Sequence, residues 1–329
     1  MKPVSWGVLS VSRHFALRVQ SPLAGSEIAA VRAIASRSKQ KAEDAASSMG
    51  IARAYGSYEE LLEDREIEAV YITLPNHLHA EWVMKAADAG KHVLCEKPFA
   101  MNAGEAEKAI RYAEKKGVLV MEAFMYRFHP QWQRARELVR IGEIGDVHSI
   151  STVFSYTNKD PKNIRNRLDA GGGAIQDIGC YAISCSRFLM GQEPRRAVSL
   201  IRRDPDFGTD ALSSGILDFG HARALFSAGT QSFAQQRVEV LGSAGTLVVP
   251  LPFNSPADVP AQVQVTTGVG PRTISFPAVD QYLLMVEAFS RAVRSGGPVP
   301  TPPQDAIDNM RVEDALFRSE SSGGWEEVR

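Results

Sequence analysis

Three cysteines in 329 residues, Cys95, Cys180 and Cys185, are too few and too irregularly spaced for a disulfide framework. None forms a C-x-x-C pair of the kind that holds structural zinc, so free thiols are expected. An excess of either charge is also missing: 37 Lys and Arg stand against 38 Asp and Glu, a net −1. Such a chain lacks the positive field that would offset a run of phosphates, which argues against nucleic acid, and equally against an anionic membrane surface. No stretch approaches the ~20 apolar residues that span a bilayer. The opening Met1 to Gly7 has no apolar run of the roughly 7 or more that makes a signal-peptide core, and a cytoplasmic protein is the expectation. What remains is ordinary globular material, 44% hydrophobic and 23% charged, which excludes disorder as the main state. At about 150 residues per domain, the length suggests two domains.

Short β-branched runs alternating with helical patterns over the first 125 residues predict a parallel sheet covered by helices. Strands are expected at Ser5–Ser10, Ile28–Ala35, Arg53–Tyr55, Ala69–Thr73, His92–Cys95 and Val118–Glu122. Helices are expected over Ser38–Met49, after Ser57, after Asn76, and after Asn102 up to Lys116. Ser57 with Glu60, and Asn102 with Glu105, have the spacing of capping boxes. Beyond Met125 the pattern changes to a helix near Pro130–Ile141, a long strand at Val147–Tyr156 and a Gly-rich turn and helix at Gly171–Leu189. Strand-like runs separated by turns follow, such as Ala211–Phe219, Ala222–Gly229, Arg237–Leu241, Thr246–Val249 and Thr273–Phe276, and two helices close the chain. These predict a large, mostly antiparallel sheet. The fold class is therefore α/β, with a doubly wound dinucleotide-binding domain over 1–123 and a second, substrate-binding and oligomerisation domain over 124–329, whose C-terminal helix is free to pack back on the first.

In such a parallel sheet the turn after the first strand is where phosphates sit. Here it runs Leu9-Ser10-Val11-Ser12-Arg13-His14-Phe15, with Ser10 and Ser12 standing where the first two glycines of G-x-G-x-x-G normally stand. Serine is small enough to let backbone amides approach a pyrophosphate at a helix N-terminus; an ordinary polar loop is the alternative. The second strand ends in Ser36-Arg37-Ser38, with no Asp or Glu to grip ribose hydroxyls. A hydroxyl and a guanidinium favour a 2′-phosphate, with Arg13 available from the neighbouring turn, so NADP is preferred over NAD.

Three further segments are specific in combination: Leu74-Pro75-Asn76-His77-Leu78-His79; Gly90-Lys91-His92-Val93-Leu94-Cys95-Glu96-Lys97-Pro98; and Gly171-Gly172-Gly173-Ala174-Ile175-Gln176-Asp177-Ile178-Gly179-Cys180-Tyr181. On these the chain resembles, over essentially its whole length, the glucose–fructose oxidoreductase / inositol dehydrogenase / rhizopine-catabolism family. The third segment looks most like the branch of NADP-dependent D-xylose dehydrogenases and dimeric dihydrodiol dehydrogenases. The resemblance implies a Rossmann domain, a second domain whose open sheet forms a homodimer, and nicotinamide-dependent oxidation or reduction of a sugar-like or dihydrodiol-like small molecule. It also places Leu74, Asn76, His79, Glu96 and Lys97 at the cofactor crevice. His77 and His79, two apart with no Cys or carboxylate set nearby, do not suggest a metal.

Lys97 follows a parallel strand, where a cation can polarise a substrate oxygen. Asp177 and Tyr181, four apart at a helix start, project from one face together with Cys185 and Phe188. A phenol is too weak a base near neutrality unless a neighbouring ammonium stabilises its phenolate, and Lys97 is the candidate. The expected division of labour is Tyr181 as acid/base, Lys97 tuning it and Asp177 orienting substrate. The three glycines before the helix either admit close backbone approach or make a flexible turn. Arg127, Arg165 and Arg167 bind substrate hydroxyls or an acidic group, or form salt bridges at the domain seam. The expected reaction converts an aldose to a lactone or reduces a keto-sugar. Two alternatives stand beside it: reduction of 1,5-anhydrofructose or another dicarbonyl sugar, and a non-catalytic dinucleotide-sensing regulator, against which the presence of both Lys97 and Tyr181 argues.

Overall fold

The computed structural model describes residues 2–329. The chain divides into two compact units, one made of the residues up to Met125 with Gln281–Ile307, the other of Tyr126–Asp280 with Asp308–Arg329.

The first unit is built on six parallel strands: β1 Val4–Leu9, β2 Ala29–Ala35, β3 Arg53–Tyr55, β4 Ala69–Ile72, β5 His92–Cys95 and β6 Val120–Glu122, in the order β3-β2-β1-β4-β5-β6. Both β1 and β4 are buried along their whole length, as strands covered on both faces must be. The expected caps form. Ser57 Oγ accepts from Glu60 N at 3.1 Å and Asn102 Oδ1 from Glu105 N at 2.9 Å. The reciprocal bonds reach one residue further back than the standard box, from Gly56 N to Glu60 Oε2 (3.0 Å) and from Met101 N to Glu105 Oε2 (3.3 Å). The helix Gln281–Ser295 belongs to this unit: Trp6 Nε1 donates to Ser290 Oγ at 3.0 Å, the Trp6 and Phe289 rings pack 5.6 Å apart, and Arg294 pairs with Glu68 through both terminal nitrogens.

The second unit is a nine-stranded sheet: β7 Val147–Thr157, β8 Arg196–Arg203, β9 Asp210–Asp218, β10 Arg223–Gly229, β11 Gln231–Gly242, β12 Gly245–Val249, β13 Ala261–Thr267, β14 Gly270–Phe276 and β15 Glu326–Glu327. They lie in the order β14-β13-β12-β11-β7-β10-β9-β8-β15, and all neighbours are antiparallel except β7 and β10. Strands β8, β13 and the two-residue β15 are additions to the runs singled out in the sequence. In β8 the alternation is blurred by apolar Leu200 on the open face and polar Ser199 on the buried one, whereas β13 alternates cleanly, with Gln262 and Gln264 exposed between buried Ala261, Val263 and Val265. One face is buried, where an aromatic cluster of Tyr126, Trp132, Phe154, Tyr181 and Phe253 assembles; Trp132 and Phe253 stack at 6.0 Å and Phe154 and Phe253 at 5.1 Å. The other face carries exposed apolar side chains, and Leu200, Leu225 and Leu241 lie on it together by strand register. Among the described residues no helix is long and apolar enough to cross a membrane, and no group of three or more His, Cys, Asp or Glu could hold a metal ion.

Candidate active site

In the first unit the strand order reverses between β1 and β4, which places a crevice beyond Leu9 and Ile72 at the carboxyl ends of the strands. Ser10 closes β1 with a φ of 100°, alone among the described non-glycine residues in having a positive φ. The backbone thus adopts the conformation of a fingerprint glycine although the residue is serine, a strain tolerated because Ser10 N is tied to Ala35 O at 3.1 Å. Ser12 Oγ accepts from Phe15 N at 3.1 Å and opens the helical turn Phe15–Val19. At the end of β2, Ser36 is buried with its Oγ accepting from Ser38 N, and Ser38 caps the helix Lys39–Met49. Arg13 and Arg37 are exposed and neither forms an ion pair among the described residues. No carboxylate at this strand end opposes an added phosphate, so the residues present fit a 2′-phosphorylated dinucleotide.

Glu96, at the end of β5, is the polar centre of this edge. Tyr71 donates to its Oε1, and His14 Nε2 lies 3.2 Å from the same oxygen, the His14 ring packing edge-on to Tyr282. Burial pushes the Glu96 carboxyl up, but His14, Tyr71 and Lys97 overcome it and hold the pKa down at about 2. Lys97 is partly exposed beside it, and the Lys97-Pro98 peptide is cis. Asn76 begins the turn Asn76–Leu78 and is partly exposed, whereas Leu74 is buried. His79 departs from the expectation of a cofactor-lining side chain. It is fully buried, with Nδ1 at 2.8 Å from Pro98 O and Nε2 at 2.8 Å from Leu74 O, so its polar atoms face the protein's own backbone.

In the second unit, Tyr181 lies on the helix Cys180–Met190, and Asp177 in the π turn Ile175–Gly179 that leads into it. The Tyr181 ring is held by Phe253 (5.0 Å), Phe154 (5.7 Å) and Tyr126 (6.0 Å). Asp177 Oδ2 accepts from Tyr156 Oη at 2.5 Å and from Arg165 Nε at 2.9 Å. Burial, and then the carboxylate, push the Tyr156 phenol far above its ordinary range, so Tyr156 remains a donor at any working pH. Of the other arginines, Arg127 is buried against Ser184 Oγ (2.7 Å) and Tyr126, inside the fold rather than at an accessible wall, and Arg167 pairs with Asp169 at 2.6 Å on the surface. Cys185 is buried with Sγ 3.7 Å from Thr152 Oγ1, and Phe188 packs on Tyr126 and Trp132. Sequence reasoning missed Tyr71, Tyr156 and Asp210. Tyr156 closes the alternating run of β7, where nothing separates a polar aromatic from an ordinary strand residue.

Residues 7–124 match the model of the GFO_IDH_MocA oxidoreductase family with its NAD-binding Rossmann fold, and residues 132–248 that of the GFO/IDH/MocA C-terminal domain. The chain belongs to this family. It is 40% identical to an uncharacterized oxidoreductase of Rhizobium meliloti, with 100% of both chains covered. It is also 40% identical to a D-xylose 1-dehydrogenase (NADP(+)) of Haloferax volcanii, over 90% of this chain and 91% of the other. Among solved structures, a 3-ketoreductase from Actinomadura kijaniata in complex with NADP and TDP-benzene superimposes with a TM-score of 0.91 at 30% identity, covering 96% of this chain and 98% of that one. The protein is thus an oxidoreductase of a family whose relatives act on sugars.

The strained serine gives a direct test. Ser10→Gly should relieve ~1–3 kcal/mol of backbone strain at a cost of about 0.5–1 kcal/mol in unfolded-state entropy, so the variant should be more stable by about 1 kcal/mol. Urea unfolding of both proteins measures this, and a variant less stable than the parent would show that Ser10 is not strained.

Proposed function

We propose that the protein is an NADP-dependent oxidoreductase that transfers a hydride between the nicotinamide and a carbon of a sugar or sugar-like polyol, oxidising an aldose to its lactone or reducing a keto-sugar. The observation that carries this reading is the pair Asp177 and Tyr181 on successive turns of one buried helix start, with Asp177 anchored by Tyr156 and Arg165. When bound, the dinucleotide supplies or accepts the hydride. The chain's own residues do the rest. Ser10, Ser12, Arg13 and His14 form the front turn for the pyrophosphate side, and Ser36 and Arg37 receive the 2′-phosphate. Leu74, Asn76, Glu96 and Lys97 line the crevice, with His79 behind them. Tyr181 moves the proton at the reacting oxygen, Lys97 is the ammonium that favours its phenolate, and Asp177 with Arg165 orients the neighbouring hydroxyls. The similarity to a 3-ketoreductase supports the reducing direction on a keto-sugar, including 1,5-anhydrofructose or another dicarbonyl sugar, as the second reading.

Absorbance of NADPH followed against a panel of aldoses and keto-sugars tests the activity; tight NADP binding without turnover on any sugar would favour a dinucleotide-sensing regulator instead. Tyr181→Phe should lower turnover by ~10²–10⁴-fold while leaving dinucleotide affinity unchanged, because it removes proton transfer and no phosphate contact. Wild-type turnover in that variant would refute the role. Arg37→Ala should weaken NADP more than NAD in equilibrium titrations; equal losses would show that Arg37 does not read the 2′-phosphate.

The open face of the second unit's sheet, with Leu200, Leu225 and Leu241 exposed, supports a homodimer through that sheet. Sedimentation should give twice the chain mass of 35.9 kDa, and a monomer at micromolar concentration would exclude the dimer.

A further inference from the structure

Asp210 has no part in the proton transfer above, and no motif marks it. It opens β9 and is only 2% exposed, yet its carboxylate is deeply involved in the local structure. Oδ2 accepts from Ile175 N at 2.7 Å and from Ser213 Oγ at 2.8 Å. Ile175 is the first residue of the π turn that leads to Tyr181, so this carboxylate binds one of the amides left without an intrahelical partner. Its other oxygen occupies the space a side chain at Gly173 would need: a Cβ there would stand 1.8 Å from Oδ1, and Gly173 has a φ of 121°. Gly173 N donates to Arg165 O at 2.9 Å, and Gly173 O accepts from Asp177 N at 3.1 Å. A Cβ on Gly172 would lie 2.4 Å from Arg165 O, and Gly172 N donates to Arg167 O at 2.9 Å. At Gly172 and Gly173 the space a side chain would need is therefore taken by the protein's own strand and loop.

One residue, Gly173, thus fixes Arg165 through its amide and Asp177 through its carbonyl, and the Asp210 carboxylate is seated against it. We propose that Asp210 is a positioning residue for the Asp177–Arg165–Tyr181 cluster, acting through Gly173 and Ile175 without touching substrate. The inference rests on the role given to that cluster above. The charged and titratable groups facing it are few. Arg203 of β8 favours the carboxylate but is itself bound to Glu320 (2.6 and 2.8 Å) and to Gly208 O, and Tyr156 of β7 is bound to Asp177. Burial, opposed by the Ile175 amide and Ser213, raises the Asp210 carboxyl to about 6. Its ionised form, the better acceptor and the one favoured at a helix N-terminus, is then lost within the range of an ordinary activity assay.

The test is Asp210→Asn, which keeps the shape and removes the charge. Turnover should fall roughly 10- to 100-fold, as expected of a displaced catalytic geometry, with dinucleotide affinity unchanged and the acid limb near pH 6 abolished. A purely structural residue would change the melting temperature and leave the limb in place. Ser213→Ala removes one donor to the carboxylate and should move the limb to higher pH with the fold intact, which keeps the idea falsifiable if the first variant folds poorly. Hydrogen exchange of backbone amides, read by mass spectrometry, needs no turnover: segment 174–182 should lose protection in Asp210→Asn and segment 4–35 should not. Unchanged exchange in 174–182, or an unmoved acid limb in both variants, overturns the proposal. Should the wild type turn over no sugar, the exchange result alone decides whether Asp210 anchors this helix, and the functional reading falls separately.

Discussion

A single enclosed carboxylate organises the nucleotide-side edge of the first unit. Glu96 follows β5, Tyr71 comes from β4, and His14 comes from the turn after β1, and the latter two converge on one oxygen of the first. A buried charge without partners is costly enough that it would neutralise instead. Here the partners more than offset burial, and the group stays ionised far below neutrality. A carboxylate lowered to about 2 contributes stability above the ordinary carboxylate range and loses it as pH falls toward 2. Because Lys97 is the next residue along the chain, the same contact fixes the backbone from which that ammonium projects.

Asp210 shows the opposite solution. Its contacts are neutral donors, an amide and a hydroxyl, and the nearest cation is already engaged by Glu320, so burial wins and the carboxyl is raised. Its contribution to stability is present in acid and declines as pH rises through about 6, which is the reverse of Glu96. What separates the two carboxyls is therefore the groups around them: an imidazole, a phenol and a neighbouring ammonium at Glu96, an amide and a hydroxyl at Asp210.

How much of this was legible in the sequence depends on the range of the interaction. The parallel sheet, its capped helices and the long strand β7 follow from periodicity and from caps three residues apart, and they stand where expected to within a residue or two. The strand β8 was hidden because apolar Leu200 lies on its open face and polar Ser199 on its buried one, whereas β13 alternates cleanly and was legible. Lys97, Asp177 and Tyr181 were singled out because local motifs carry them. His79 and Arg127 were placed at the site by their neighbours in sequence, but burial turned their polar atoms onto Leu74, Pro98 and Ser184. Tyr156 is 21 residues from Asp177, a separation that leaves no local trace.

The same contrast of range governs the two π turns, Phe15–Val19 and Ile175–Gly179, which are the only ones among the described residues and which open the two helices on which the functional reading rests. π segments are rare and short, and the first amide of any helical turn has to be held by something outside it. In both cases a side-chain oxygen does so. Ser12 Oγ takes Phe15 N from three residues away, a cap that belongs to the same short motif as the turn itself. Asp210 Oδ2 takes Ile175 N from 35 residues away, from the first residue of β9, and requires a glycine at 173 to leave room. The cap of the turn after β1 is therefore local in sequence, whereas the cap of the turn before Tyr181 depends on the placing of β9. The geometry around Asp177 and Tyr181 is in this sense a property of the folded second unit and cannot be read from any segment of it alone.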